Sequence, residues 1–358
     1  MNFSPFALDF SIRLIAWQRA HGRHGLPWQG TCDPYRIWLS EIMLQQTQVA
    51  AVIPYYARFL ERFPTVAALA AAPVEEVMAL WSGLGYYARA RNLHRTACAV
   101  MEKHGGLFPV TATALVELPG IGRSTAAAIA AFASNERAAI LDGNVKRVLC
   151  RAFGIEGFPG ERAVEERLWA LAESLLPEST EDIGVYIQAQ MDLGATVCTR
   201  ARPACRVCPL AAQCVAHATG RIAELPAPRS RKTPPRRTAR MLVVVLGDSV
   251  LLERRLPAGI WGGLLALPEI PEDAQIETWA MRKLGVAQTS AQALPPLVHA
   301  FTHFTLEIAP WRIDLPAAPR MLSEPAWQWQ ALERIGSAAL PAPVRRILES
   351  LNRTNADA

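Results

Sequence analysis

Long apolar runs are missing from this 358-residue chain. None approaches the roughly 18 residues that a membrane-spanning helix needs. The first residues, Met1-Asn2-Phe3-Ser4-Pro5, lack the basic patch and apolar core of a secretory signal. Charge is sparse at 19% of residues while apolar types make up 51%, a balance that excludes a disordered chain. Acidic residues are absent between Arg229 and Arg240, where six basic residues stand. These absences predict a soluble, cytoplasmic, globular protein with no membrane partner, and the length predicts two domains. The net charge of +5 suits an anionic partner without requiring one.

Residues from about 8 to 218 read mostly as helices. Leu14, Trp17, Ile37, Leu39, Ile42 and Met43 recur at helical spacing, and Ala-rich stretches such as Ser124–Ala133 favour helix by propensity. Breaks are expected at Pro54, Pro64, Pro73, Gly83–Gly85, Gly105–Pro109 and Gly157–Gly160. The texture changes near residue 221, where Pro226, Pro228, Pro234 and Pro235 lie among basic residues and read as an extended linker. Beyond it, Met241–Leu246 and Val250–Glu253 read as strands around a turn at Gly247-Asp248-Ser249, Glu277–Leu284 as a short helix, and Leu297–Trp311 as alternating strand. The expected organisation is an all-helical domain over 1–220, a basic Pro-rich linker over 221–240, and a smaller α+β domain over 241–358.

Seven cysteines without an export signal point away from a disulfide framework. Cys198, Cys205, Cys208 and Cys214 are spaced C-x6-C-x2-C-x5-C. Four thiolates in one loop can close around a metal, and chemistry alone leaves zinc and an iron–sulfur cluster both open. Arg200, Arg202 and Arg206 in the same loop could present cations to phosphates. Cys32, Cys98 and Cys150 are read as buried apolar residues.

Leu118-Pro119-Gly120-Ile121-Gly122 lies between two helical patterns. Its glycines let successive N–H groups and the next helix's N-terminus point the same way, which makes an anion site. Two carboxylates draw notice beside it. Glu41 falls in an otherwise apolar helical stretch, where burial would keep it protonated, and a solvated helix position is the alternative. Asp142 precedes a helix expected to begin near Val145, where an ordinary N-cap is the common role.

The run Leu118–Gly122 with Arg123-Ser124-Thr125-Ala126, the run Leu141-Asp142-Gly143-Asn144-Val145-Lys146-Arg147-Val148 and the four-cysteine loop resemble the helix-hairpin-helix DNA glycosylases related to endonuclease III. Trp38 to Gln48 and Gly83 to Asn92 resemble one branch, the MutY adenine DNA glycosylases. The likeness covers nearly the whole chain. It implies a multidomain fold, with an all-α helix-hairpin-helix core carrying a four-Cys [4Fe–4S] loop and a C-terminal α+β Nudix-like domain.

The activity implied is hydrolysis of the N-glycosidic bond of adenine mispaired with 8-oxoguanine or guanine in double-stranded DNA, by a monomer working on the bacterial nucleoid. In this branch the position of Glu41 protonates adenine at N7. That of Asp142 stabilises or bonds the sugar C1′, and Asn144 supports it. Leu26, Trp28 and Gln188 match the adenine pocket, and Gln46 and Tyr86 match residues that wedge into the base stack. Leu118, Gly120, Gly122, Ser124 and Lys146 are implied DNA contacts. Relatives that also cut the strand carry a lysine where this chain has Ser124, so base excision without efficient strand cleavage is expected. Arg89 and Arg91 are read as backbone contacts or solvated charges.

The C-terminal part, from Gly262-Gly263 to Pro268-Glu269, resembles the start of a Nudix fold. Ala280-Met281-Arg282-Lys283-Leu284-Gly285 puts cations where a metal-binding Glu pair would stand, so pyrophosphate hydrolysis is not expected. Phe301, Thr302 and His303 match the branch's 8-oxoguanine loop, with Thr302 in place of serine. Two alternatives remain at this point: an endonuclease III-like enzyme for oxidised pyrimidines, which Ser124 and the second domain oppose, and a DNA-binding protein without chemistry.

Overall fold

Apolar residues at a period near 3.6 bury one stripe per helix, so the N-terminal two thirds can only be satisfied by helix on helix packing. The computed structural model describes residues 5–229, 234–256, 259–286, 290–301, 303–319, 324 and 326–356. Two compact units result. One comprises Met1–Ala71 and Asn92–Arg231, the other Ala72–Arg91 and Lys232–Ala358.

The first unit contains α1 (Pro5–His21), α2 (Pro34–Leu44), α3 (Val49–Arg62) and α4 (Val66–Ala71). Then α5 (Val74–Trp81) belongs to the second unit, and the boundary falls inside α6 (Ala88–His104). The first unit resumes with α7 (Ala112–Leu115), α8 (Arg123–Ser134), α9 (Gly143–Phe153), α10 (Arg162–Ser174), α11 (Ile183–Asp192) and α12 (Val215–Ala218). Helix α1 packs along α11, and α2 lies against α3 and α8. Phe10, Leu14, Val145, Leu149, Leu168 and Tyr186 share its buried core.

Pro34 opens α2, and Asp33 caps it by accepting the Tyr35 N–H at 2.9 Å. Pro54 does not break the chain as expected. It lies inside α3, where its missing N–H forgoes one bond close to the helix start. Helix α9 begins at Gly143, two residues before the expected start, because Asp142 itself is the cap.

In the second unit β1 (Arg236–Leu246) and β2 (Ser249–Arg254) form a hairpin in which Leu246 faces Ser249. They are followed by β3 (Leu265–Ala266), β4 (Glu269–Ile270), α13 (Ile276–Leu284), β5 (Gln292–Ala293), β6 (Leu297–Ala300), β7 (Thr305–Asp314), β8 (Trp327–Ala331) and α14 (Ala342–Ala356). The sheet is mixed, with path β3-β2-β1-β7-β5, and β4, β6 and β8 pair with β1, β7 and β2. Strand β1 runs parallel to β7, Arg236 beside Thr305 through Val245 beside Asp314. Met241 to Val245 are all buried, as befits a central strand covered on both faces. Trp279 and Leu284 of α13 share a core with Leu242, Val244 and Ile313.

Two sequence expectations change here. Strand β1 takes in Arg236 to Arg240, residues that the proline content assigned to the linker. Leu297–Trp311 is two strands, β6 and β7, paired antiparallel from Ala300↔Thr305. The Phe301 N–H bonds to the Phe304 carbonyl at 2.8 Å and closes the turn between them. Among the described residues no helix is long and apolar enough to cross a membrane.

Candidate active site

Helix α2 is buried on most of its surface through Tyr35, Ile37, Trp38, Leu39, Ser40, Ile42 and Met43. It carries Glu41 to the wall of a cavity of about 1220 Å³. Asp142, Ser124, Asn144, Leu26, Trp28, Gln188 and Gln46 border the same cavity. Residues 26 to 188 in sequence thus converge on one space because α2, α8, α9 and α11 each present one end or edge to it. Its polar wall also includes Arg23, Thr125, Arg147 and Arg200.

The two carboxyls are both buried but differ in the donors and charges around them. Burial, and then the nearby charge of Asp142, pushes Glu41 up to about 8. Its carboxyl is deep in the protein although the residue keeps some exposure to the cavity it lines, so the solvated reading is excluded. Asp142 is also raised by burial, but the Val145 and Asn144 N–H groups and the Arg147 and Lys146 charges pull it back. Its Oδ1 accepts the Val145 N–H at 2.8 Å. Asp142 is therefore an N-cap and a cavity carboxyl at once. Of the pair, Glu41 is the one built to keep a proton and Asp142 the one with donors for a negative charge.

Hydrogen bonds from neighbours hold these groups, and the sequence singled out only some of those neighbours. Ser124 Oγ accepts the Leu141 N–H at 2.9 Å, pinning the residue before Asp142. Arg147 donates to Asn144 Oδ1 at 2.8 Å, to the Gly194 carbonyl at 2.7 Å and to the Cys198 carbonyl at 2.8 Å. Gln188 Nε2 donates to Asp192 Oδ1 at 2.8 Å. Asp192 is wholly buried and accepts from Arg23 Nε and from the Arg23 N–H, each at 2.8 Å. Gln29 closes the same loop, donating to the Arg23 carbonyl at 3.0 Å and accepting the Leu26 N–H at 2.9 Å. Arg23 and Asp192 sit in no local motif of their own, which is why a reading along the chain missed them, and Arg147 lies in the Leu141–Val148 run without a role that spacing could assign.

Backbone strain marks other positions. Gln46 has φ 57° and Tyr86 φ 49°, the left-handed region that costs non-glycine residues about 1–3 kcal/mol. Tyr86 is exposed and belongs to the second unit. In the hairpin, Gly120 has φ 78°, and a Cβ there would stand 2.7 Å from the Asn92 Cβ. Gly122 caps α8 at φ −87° with open space where a Cβ would be. Leu118 is buried beneath the turn. Lys146 does not border the cavity, and its ammonium pairs with Glu165 at 2.5 Å.

Cys198, Cys205, Cys208 and Cys214 ring a second, small cavity. Burial, reinforced by the other three cysteines, holds the Cys208 thiol up at about 11. The four thiols are half-buried, and as thiolates they would need a cation among them. Arg151, itself buried, donates to the Cys198 Sγ at 3.5 Å and the Thr199 carbonyl at 2.7 Å. Among the described residues no group of three or more His, Cys, Asp or Glu side chains is placed to hold a metal ion. Cys32 is exposed, Cys98 half-buried and only Cys150 buried, so the apolar-core reading fails for Cys32, which lies in the open loop before α2.

In the second unit Phe301 stacks on Phe304 with centroids 4.5 Å apart and meets His299 edge-on at 4.6 Å. His303 is exposed, and Thr302 lies outside the described residues. Trp261, at φ 57°, packs on Phe301 at 5.9 Å. Arg89 is buried and Arg91 half-buried. Their guanidiniums donate to the Leu84 and Gly85 carbonyls and to the Gly262 carbonyl respectively, so neither is a solvated surface charge.

Residues 39–174 match the family model of the HhH-GPD superfamily base excision DNA repair proteins, and residues 240–350 that of the NUDIX domain. The adenine DNA glycosylase of Buchnera aphidicola subsp. Acyrthosiphon pisum (strain APS) is 35% identical over 345 residues, which are 96% of this chain and 98% of that protein. The chain belongs to the MutY-type adenine DNA glycosylase family. The Homo sapiens member is 32% identical over 401 residues, 94% of this glycosylase and 73% of the human protein. A thermostable thymine-DNA glycosylase superposes at TM-score 0.53 and 28% identity, over 60% of this chain and 97% of that one. Endonuclease III in a non-covalent DNA complex superposes at TM-score 0.52 and 22% identity, over 61% and 98%, and shares the fold.

Proposed function

We propose that this glycosylase releases adenine opposite 8-oxoguanine or guanine from double-stranded DNA, acting as a monomer in the bacterial cytoplasm on the nucleoid. The observation that carries the reading is the unequal carboxyl pair on one cavity, Glu41 raised to about 8 and Asp142 furnished with backbone donors. Glu41 gives its proton to N7 of the extruded adenine, so the base departs neutral. Asp142 meets the positive charge that develops at C1′, with Asn144 held beside it by Arg147. Trp28 and Leu26 supply apolar faces to the purine, and Gln188, oriented by Asp192, supplies an amide.

Ser124 offers no amine for a Schiff base, which supports base excision without strand cutting. Gln46 and Tyr86, held in strained backbone, fill the gap in the stack, and Gly120 and Gly122 present backbone to phosphate in a turn supported by the buried Leu118. Lys146, reaching from its Glu165 pair, adds a cation for phosphate. Phe301, Thr302 and His303 read the partner base.

The four cysteines that ring one small cavity suit a [4Fe–4S] cluster, the group that the likeness to the endonuclease III relatives implies there. Cys198, Cys205, Cys208 and Cys214 would hold it, and its chemistry would be structural and electrostatic.

Single-turnover adenine release from a duplex with adenine opposite 8-oxoguanine tests the reading, with strand analysis before and after alkali. Release with nicking only after alkali is expected. Glu41→Gln and Asp142→Asn are each expected to abolish release while duplex binding persists. No release by folded protein, or loss of binding in parallel with activity, would overturn it.

A further inference from the structure

The family model that matches residues 39–174 places the Tyr86 segment in the glycosylase core. The fold does not. Ala72–Arg91 clusters with the sheet and helices of the C-terminal unit, and side chains on both pieces explain why. Arg91 Nη1 donates to the Gly262 carbonyl at 2.6 Å. Tyr87 donates its hydroxyl to the Leu340 carbonyl at 3.3 Å, and Arg345 Nη2 donates to Ser82 Oγ at 3.0 Å.

The Gly262 carbonyl lies in the middle of a tight turn that the Leu264 N–H closes on the Trp261 carbonyl at 2.9 Å. That turn holds Trp261 in its left-handed conformation, with Gly263 beside it at φ 78°. The indole is buried and backs both His299 at 6.5 Å and Phe301 at 5.9 Å. On the other side, Arg91 is anchored through its own N–H to the Tyr87 carbonyl at 3.2 Å, and the Arg89 N–H bonds to the Tyr86 carbonyl at 2.9 Å. One continuous run of contacts therefore joins Tyr86 to Phe301 through Arg91, Gly262 and Trp261.

We propose that Arg91 is a positioning residue that ties the Tyr86 wedge to the Phe301 loop, so that insertion beside the partner base and reading of that base are performed by one joined element. The inference rests on the partner-reading role given to Phe301 and Tyr86 above. A guanidinium is suited to the task because its fixed fork directs one N–H at a backbone carbonyl while the stem remains packed. The turn contains two glycines and a strained tryptophan; the Gly263 N–H fastens it to the Arg255 carbonyl at 3.1 Å on its strand side, and Arg91 fastens its Gly262 carbonyl to the Tyr86 segment.

The test uses the full-length, cluster-loaded protein and two duplexes, adenine opposite 8-oxoguanine and adenine opposite guanine. Single-turnover rates and duplex affinities are measured for the parent, Arg91→Met, Arg91→Lys, Phe301→Ala and the Arg91→Met/Phe301→Ala double variant. Arg91→Met is expected to lower the preference for 8-oxoguanine about tenfold, the scale of one charge-assisted hydrogen bond, because the 8-oxoguanine duplex is slowed far more than the guanine duplex. The double variant is expected to lose no more preference than Phe301→Ala alone, since both changes break the same element. Arg91→Lys, which keeps a donor, is expected to restore part of the preference even if Arg91→Met folds poorly. A fluorescent purine analogue placed beside the partner base is expected to report weaker insertion in Arg91→Met. Additive losses, equal slowing on both duplexes, or an unchanged preference would overturn the proposal. A parent protein with no preference for 8-oxoguanine would instead overturn the partner-reading role itself.

Discussion

Glu41 shows how one residue's surroundings set its chemistry. Its folded-state value of about 8 lies above that of an unfolded carboxyl, so the folded protein keeps a proton that the unfolded chain gives up. The linked stability is fully present below the unfolded carboxyl range and is lost as pH rises through about 8. Glu41→Gln, which keeps the shape and removes the charge, is therefore expected to be about 1–3 kcal/mol more stable than the parent at pH 9 and equal to it near pH 4. Urea midpoints at the two pH values check this. The parent's single-turnover rate is expected to fall above about pH 8 as Glu41 loses its proton, and to fall again in acid as Asp142 gains one. A rate that climbs steadily into alkali would remove Glu41 as the acid. Ser124→Ala leaves the Leu141 N–H without its acceptor. It should cost about 1–2 kcal/mol of stability and slow adenine release without creating strand cleavage, which a gel without alkali would reveal.

At the scale of elements, the hairpin between α7 and α8 separates two uses of glycine. Gly120 has positive φ and Asn92 pressed against its missing Cβ, so Gly120→Ala is expected to destabilise the fold by about 1–3 kcal/mol. Gly122 has neither constraint from the protein. Gly122→Ala should leave the melting temperature unchanged yet weaken duplex binding, because its Cβ would stand where a phosphate approaches the helix N-terminus. Equal effects of the two substitutions on stability would show that the second glycine, too, serves the fold. The cap at Asp142 and the strained Gln46 and Tyr86 belong to the same scale, for Asp142 is a helix end and the other two are left-handed backbone positions outside the helices.

For the whole molecule, sequence and space part at residues 72–91, which lie early in the chain and fold with its C-terminal half. A chain ending at residue 231 would strip Arg91, Tyr87 and Ser82 of Gly262, Leu340 and Arg345. Limited trypsin digestion is then expected to cut after Arg89 or Arg91 in the truncated chain and to spare those bonds in the full one. Equal resistance would show that the segment is held by its own helices. The same truncation should lower the preference for 8-oxoguanine while adenine release continues.

The sequence by itself determined the helical core, a change to strands placed at Met241, and the cysteine spacing, because periodicity, turn residues and ligand spacing are local properties, whereas the residues bordering the main cavity were named mostly through family resemblance. Family resemblance then supplied roles that spacing alone left open, such as iron–sulfur against zinc. Only the tertiary structure decided which groups hold those residues in place. Arg23 and Asp192 are 169 positions apart, and Arg91 and Gly262 are 171 apart, so no window along the chain contains both partners. It also decided that Leu297–Trp311 folds back on itself, that Pro54 sits inside α3, and that Cys32 is exposed. Burial, pairing and charge environment are sums over neighbours brought together by packing, and they are therefore written in space and not along the chain.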